Sequence, residues 1–170
     1  MKPNPYLELD LKKIERLGKI REYENVRFRS FLKGFDDKKI DPIVHRLNEE
    51  ISAQIDCTEC GNCCKVLRPR IAEQDIERLA GGLGISRSQV IERYLELYDN
   101  ELYIEQIPCP FLKDNKCTVY EDRPDDCRSY PHLHKPHFIS RLWSVIDNYS
   151  ICPIVFNVVE RLKDELGFRR

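Results

Sequence analysis

The sequence predicts a mainly α-helical fold with a small β-hairpin, a single helical domain built around a cysteine-ligated metal site. Three observations predict it. Several segments repeat apolar residues three and four apart, which is helical spacing. One short stretch alternates apolar and polar residues ahead of a turn dipeptide, which marks a hairpin. Half of the eight cysteines fall within Cys57-Thr-Glu-Cys60-Gly-Asn-Cys63-Cys64. Crowded thiolates repel one another unless a cation holds them, and a thiolate is a soft metal ligand, so this density points to metal.

Residues 1 to 7 carry two prolines and read as an irregular lead-in. Leu9, Leu11, Ile14, Leu17 and Ile20 are broadly helical, weakened at Gly18 and ragged near Tyr23. Val26 to Phe35 has no clean period; its phenylalanines read as core and its basic residues as solvated. Asp41-Pro42 reads as an N-cap with proline at the first helical position, followed by the face Ile43, Val44, Leu47, Ile51 and Ile55. Pro69 makes residues 66 to 71 extended. A short helix from Ala72 to Leu79 should stop at Gly81-Gly82, and Ser86 should cap the next, whose stripe is Val90, Ile91, Tyr94, Leu95 and Tyr98.

Residues 101 to 107 alternate as a strand, and Asp114-Asn115 signals a turn before a second arm at 116 to 120. Cys109 then lies near the end of the first arm and Cys117 in the second. Pro124 opens a short helix to Tyr130 that carries Cys127 and Arg128. His132, His134 and His137 sit in a proline-bounded loop and read as solvated; residues 138 to 149 read as a helix. The last helix begins at Pro153, directly after Cys152, and buries Ile154, Val155, Val158, Val159, Leu162 and Leu166. A cysteine at a helix start has its thiolate favoured by the helix dipole. The whole divides into an N-terminal helical segment, 1–56, a cysteine-rich core, 57–153, and a C-terminal helix, 154–170, packed on that core as one domain.

With 170 residues the chain can bury a core of its own, so a metal adds to folding and is not its only source. The 28 basic and 29 acidic residues nearly cancel, and no block of like charge suggests a nucleic-acid or acidic-lipid partner. The first residues lack a signal-peptide core, and the run from Ile151 to Val159 is too short to cross a bilayer, so a cytoplasmic protein with no membrane partner is expected. Disulfides are the weaker reading in that compartment. Adjacent Cys63 and Cys64 could pair with each other only through a strained ring.

Taken in order, Cys57-x2-Cys60-x2-Cys63-Cys64, Cys109-Pro-Phe-Leu, Lys116-Cys117, Tyr120, Arg123-Pro124-x2-Cys127-Arg128-x-Tyr130-Pro131 and Cys152-Pro153 resemble the CxxCxxCC cysteine-cluster family. The resemblance covers roughly residues 57 to 153. It implies zinc or iron chelation by these cysteines. The same domain occurs in flagellin lysine N-methylases, so the resemblance also implies methyl transfer as an alternative, although the chain shows no Rossmann-type glycine-rich loop.

The chemistry leaves two centres open. Three cysteines at two-residue gaps, completed by a distant Cys-Pro, are similar to the ferredoxin run that holds a four-iron cluster, with Cys57, Cys60 and Cys63 as corners and Cys109 or Cys152 as the fourth. Zinc is the alternative, because Cys57-x2-Cys60 is a ligand knuckle and eight thiolates fill two tetrahedral sites; no second two-residue pair lies downstream. Cys64, Cys117 and Cys127 are then further ligands or neighbours of the centre, and Cys64 also reads as a small buried apolar residue. Arg123 and Arg128 flank Cys127 as candidate donors to a cluster sulfide or an anionic substrate, against a default of structural ion pairs. Tyr120 and Tyr130 read as core. An open metal position would suit an enzyme, and full thiolate coverage a binding module or a structural staple.

Overall fold

Asp10 starts the first helix by accepting hydrogen bonds from the Lys12 and Lys13 amides, and α1 runs Leu11–Ile20. The computed structural model describes residues 7–169; most of the expected irregular lead-in lies outside them. The chain is mainly helical with small antiparallel sheets, as the sequence predicts. Its residues group into two compact units, one formed by the chain up to Asp56 together with the chain from Pro131, the other by Cys57–Tyr130. The stretch 131–153, read from sequence with the cysteine core, therefore groups with the terminal segments.

The first unit holds α1, α2 (Glu22–Leu32), α3 (Asp37–Ser52), α9 (Leu142–Tyr149) and α10 (Pro153–Glu165). The aperiodic segment is α2, and its buried line is Asn25, Phe28 and Leu32. A polar residue in that line, with basic residues around it, hid the helical period. α3 begins five residues earlier than predicted, at an N-cap supplied by Asp36, and Pro42 lies inside it. Asp41 does different work from capping: its carboxylate accepts from the amides of His137 and Phe138 at 2.8 and 2.9 Å, and Asp37 accepts from Ile139 at 2.9 Å. These bonds satisfy a turn in which His132 and His137 both have φ near +60°. α9 starts only at Leu142, because residues 138–141 belong to that turn.

α10 starts at Pro153 directly after Cys152, as the sequence predicts, with Cys152 at the N-cap position but no side-chain capping hydrogen bond from it. α10 packs on α3 and α9, burying Val155, Val158, Val159 and Leu162. Lys163 is also fully buried, and its ammonium donates to Glu24, Asn25 and Glu160 at 2.7, 2.6 and 2.8 Å. All three of its protons are thereby used, the condition under which a buried ammonium is tolerable.

The second unit holds α4 (Cys57–Cys60), α5 (Asn62–Val66), β1 (Arg70–Ile71), α6 (Glu73–Leu83), α7 (Arg87–Tyr94), β2 (Leu95–Tyr98), β3 (Glu101–Ile104), β4 (Leu112–Lys113), β5 (Lys116–Cys117) and α8 (Asp125–Ser129). α6 runs through Gly81-Gly82 and stops at Gly84, whose φ of 64° is the left-handed cap. The predicted helical stripe through Tyr98 breaks at Leu95, where the chain turns into β2. Asp99 and Asn100 both take positive φ, so they form a two-residue hairpin turn that pairs β2 with β3. The single predicted hairpin is thus two: β2–β3, with β1 added on its other side, and β4–β5 around Asp114-Asn115. The core of this unit is Ile71, Ile76, Leu79, Ala80, Val90, Leu95, Ile104, Phe111 and Val119, with Cys109 and Cys117 packed at its margin. Among the described residues no single helix is long and apolar enough to cross a membrane.

Candidate metal centre

The cysteine-rich loop is two short helical turns joined at Gly61. Cys57 and Cys60 sit in α4, Cys63 and Cys64 in α5, and Gly61 between them has φ of 56°. A side chain at Gly61 would put its Cβ 2.9 Å from the carbonyl oxygen of Asn115, in the β4–β5 turn. Both the left-handed backbone and the close approach therefore require glycine, and they fix the loop against the hairpin that carries Cys117. In Gly61→Ala, a left-handed non-glycine residue costs about 1–2 kcal/mol before the clash is counted, so metal affinity should fall at least about 5- to 30-fold, read by chelator competition. Unchanged affinity would show that this loop geometry is not needed for binding.

Helices this short do not hold themselves, since about 12–15 residues are marginal even for good helix formers. The loop is held by ties to the rest of the unit. The Cys109 amide donates to the Cys64 carbonyl at 2.8 Å, bringing the Cys-Pro segment onto α5. Leu112 pairs with Cys117 across β4–β5, and α4 lies against β5.

Burial rises from the loop inwards. Cys57 is exposed; Cys60, Cys63, Cys64, Cys109, Cys117 and Cys127 are half-buried. No disulfide joins the cysteines. Burial pushes the Cys109 thiol up to about 11 and the Cys127 thiol up to about 12, and the neighbouring thiols push both in the same direction. Cys117 is raised too, by burial, despite the opposing charge of Arg123. Cys64 goes the other way, to about 7, because a hydrogen bond with Cys63 and its own backbone amide favour the thiolate over the cost of burial. These mutual effects place Cys64, Cys109, Cys117 and Cys127 in one neighbourhood, with Cys63 bonded to Cys64.

Seven of the eight predicted ligands thus belong to one unit. Cys152 belongs to the other, buried at the start of α10 with its amide donating to Asn148 at 2.9 Å. Among the described residues no three His, Cys, Asp or Glu side chains converge closely enough to hold one ion as they stand. The fit to a metal is one of donor type: sulfur ligands alone, partly shielded from water, of the kind zinc and iron–sulfur centres take. Binding would draw gathered thiols into a closed set.

Arg123 and Arg128 are occupied by the loop before α8. The Arg123 guanidinium stacks 3.6 Å over the Tyr120 ring and donates to the Tyr120 carbonyl. Arg128 donates to the carbonyls of Arg123, at 3.0 Å, and Glu121. Tyr120, read as core, is exposed beneath Arg123. The three loop histidines belong to the first unit, where His134 is exposed.

Sequence reasoning missed Asp75, Arg78 and Asp126. Asp75 is 1 % exposed. One of its oxygens accepts from the Ala72 amide at 2.9 Å, and the other from the Asp125 amide at 3.0 Å and from Arg78. Arg78 also donates to the Asp125 carboxylate at 2.6 Å, and the Arg70 amide donates to Asp126 at 3.1 Å. The available signal was position: Asp75 lies four residues before Leu79 and beside Ile76, on the buried side of α6, where an acid needs a partner.

Residues 56–153 match the model of the CxxCxxCC family, described as a putative zinc- or iron-chelating domain. The chain is 34% identical over 83 residues to the uncharacterized protein MJ0661 of Methanocaldococcus jannaschii, covering 45% of this chain and 43% of the relative. The chain therefore spans less than half the length of that relative. No solved structure matches.

Proposed function

Because this chain belongs to the CxxCxxCC family, whose domain is a zinc- or iron-chelating one, we propose that its metal is an iron–sulfur centre held by the thiols of the second unit. Cys57, Cys60 and Cys63 supply three sulfurs and Cys109 the fourth, with Cys64, Cys117 and Cys127 gathered beside them as further ligands or neighbours of the centre. The observation that carries this is the tie between the Cys109 amide and the Cys64 carbonyl, which sets a remote Cys-Pro beside a loop with two-residue cysteine gaps. Of the two candidates for the fourth corner, Cys109 is preferred because it shares a compact unit with the loop. When bound, such a cluster supplies one-electron transfer. The chain's own part is to shield it: Cys109 and Cys117 pack at the margin of the apolar core, and Arg123 places a positive charge near Cys117.

Zinc is the second reading, favoured by the Cys57-x2-Cys60 knuckle. Seven thiols in the unit are one short of two separate four-thiolate sites, so zinc here would be a single site or ions sharing thiolates. Anaerobic purification decides between them. Iron with acid-labile sulfide in a brown protein is the expected result; a colourless protein with stoichiometric zinc would refute the cluster.

A further inference from the structure

We propose that Asp75 is a positioning residue for Cys127, acting as the N-cap of α8 from another helix. This rests on the reading that Cys127 belongs to the metal-binding group of thiols. α8 is five residues long, and its own N-cap is Pro124, which has no side-chain acceptor. A helix start leaves amides in need of acceptors. The acceptor for Asp125, the first residue of α8, is a carboxylate 50 residues earlier in the chain, buried at 1 % exposure on α6.

The same carboxylate serves two helix starts at once, with one oxygen on Ala72 at the head of α6 and the other on Asp125. Arg78 spans Asp75 and Asp125, so the two acids are brought together without uncompensated repulsion. The Arg70 amide at β1 holds the next residue, Asp126, at 3.1 Å. Cys127 follows directly, so its approach to Cys64, Cys109 and Cys117 is set by two neighbouring residues clamped to α6 and β1. A helix of this length without those clamps frays. An amide in place of the carboxylate presents an N–H₂ to one of two backbone donors and loses the charge that Arg78 requires.

The test measures iodoacetamide alkylation of the reduced, metal-free protein, resolved cysteine by cysteine with peptide mass spectrometry. In Asp75→Asn the Cys127 rate should rise at least about tenfold, corresponding to about 1.4 kcal/mol of local opening, while Cys109 and Cys117 keep their rates. Ala72→Pro removes only the α6 amide from the network at a backbone φ of −78° that proline accepts, and should leave Cys127 slow. An unchanged Cys127 rate in Asp75→Asn overturns the proposal. So does a common rise at Cys109, Cys117 and Cys127, or the same acceleration in Ala72→Pro, since either means that Asp75 merely stabilises α6. Cobalt(II) titration then separates this from the metal reading. Wild type should give a sulfur-to-cobalt charge-transfer band that Asp75→Asn weakens and that Cys127→Ser weakens without further loss in the double variant. No band in wild type refutes metal binding there, while the alkylation rates still decide the role of Asp75.

Discussion

Cys60→Ser should lose most of its bound metal, with affinity falling by more than about 100-fold, since changes to groups that only support ligands already cost about 10- to 100-fold. Cys60 is the second of the loop's four thiols, at the end of α4 beside Gly61, which lies against the β4–β5 turn. Full metal occupancy in the purified variant, by elemental analysis, would show that the loop is not the main ligand source. The thiols also predict the pH dependence. Cys109 and Cys127, pushed up to about 11 and about 12 by burial, carry protons at neutral pH, whereas Cys64, at about 7, is partly ionised. A metal that takes Cys109, or Cys127 beside it, as a ligand must displace its proton, so apparent affinity should rise with pH through the neutral range and binding should release acid into a weakly buffered solution. A pH-independent affinity between 6 and 8, on the order of the range where Cys64 titrates, would remove these thiols from the ligand set.

Lys163→Met should destabilise the first unit by about 3–5 kcal/mol in urea unfolding at pH 7. The substitution keeps the volume but withdraws the cation from Glu24, Asn25 and Glu160 together. Burial on its own would raise the Glu160 carboxyl, but hydrogen bonds from Lys163 and Tyr149, with the charges of Lys163 and Arg21, bring it below its ordinary value of 4.5. A depressed folded-state value stabilises above the ordinary carboxylate range and is lost as pH falls through the lowered value. The wild-type unit should therefore weaken on acidification below about pH 4.5, and the difference between wild type and Lys163→Met should shrink there, because a neutral Glu160 no longer needs the ammonium. A loss smaller than about 1 kcal/mol at pH 7 would mean that the remaining Arg21 contact is enough to satisfy the acid, as in an ordinary surface pair.

The helices with strong apolar periods were legible: α1, α10 and the body of α3 follow three- and four-residue spacing, and the turn at Asp114-Asn115 follows from residue types that tolerate positive φ. The misreadings share a cause. α7 stops at Leu95 although its stripe continues to Tyr98, because Asp99-Asn100 can turn the chain back and pairing with β3 then outweighs four residues of helical spacing. Pro42 sits within α3 because Asp36 caps the helix five residues earlier, while the carboxylate of Asp41, read as a cap, is taken by the amides of His137 and Phe138 from 96 and 97 residues away. No local pattern contains such a partner.

The cysteine types and their gaps, which are properties of covalent order, determined by themselves that this is a sulfur-rich chelating chain and where its loop lies. Which thiols share a neighbourhood depended on the tertiary structure, because it is set by hydrogen bonds between segments remote in sequence. The Cys109 amide meets the Cys64 carbonyl, Asn115 leaves room only for Gly61, and Asp75 caps the turn that carries Cys127. Backbone amides and carbonyls are alike at every position, so the sequence does not mark which ones will pair.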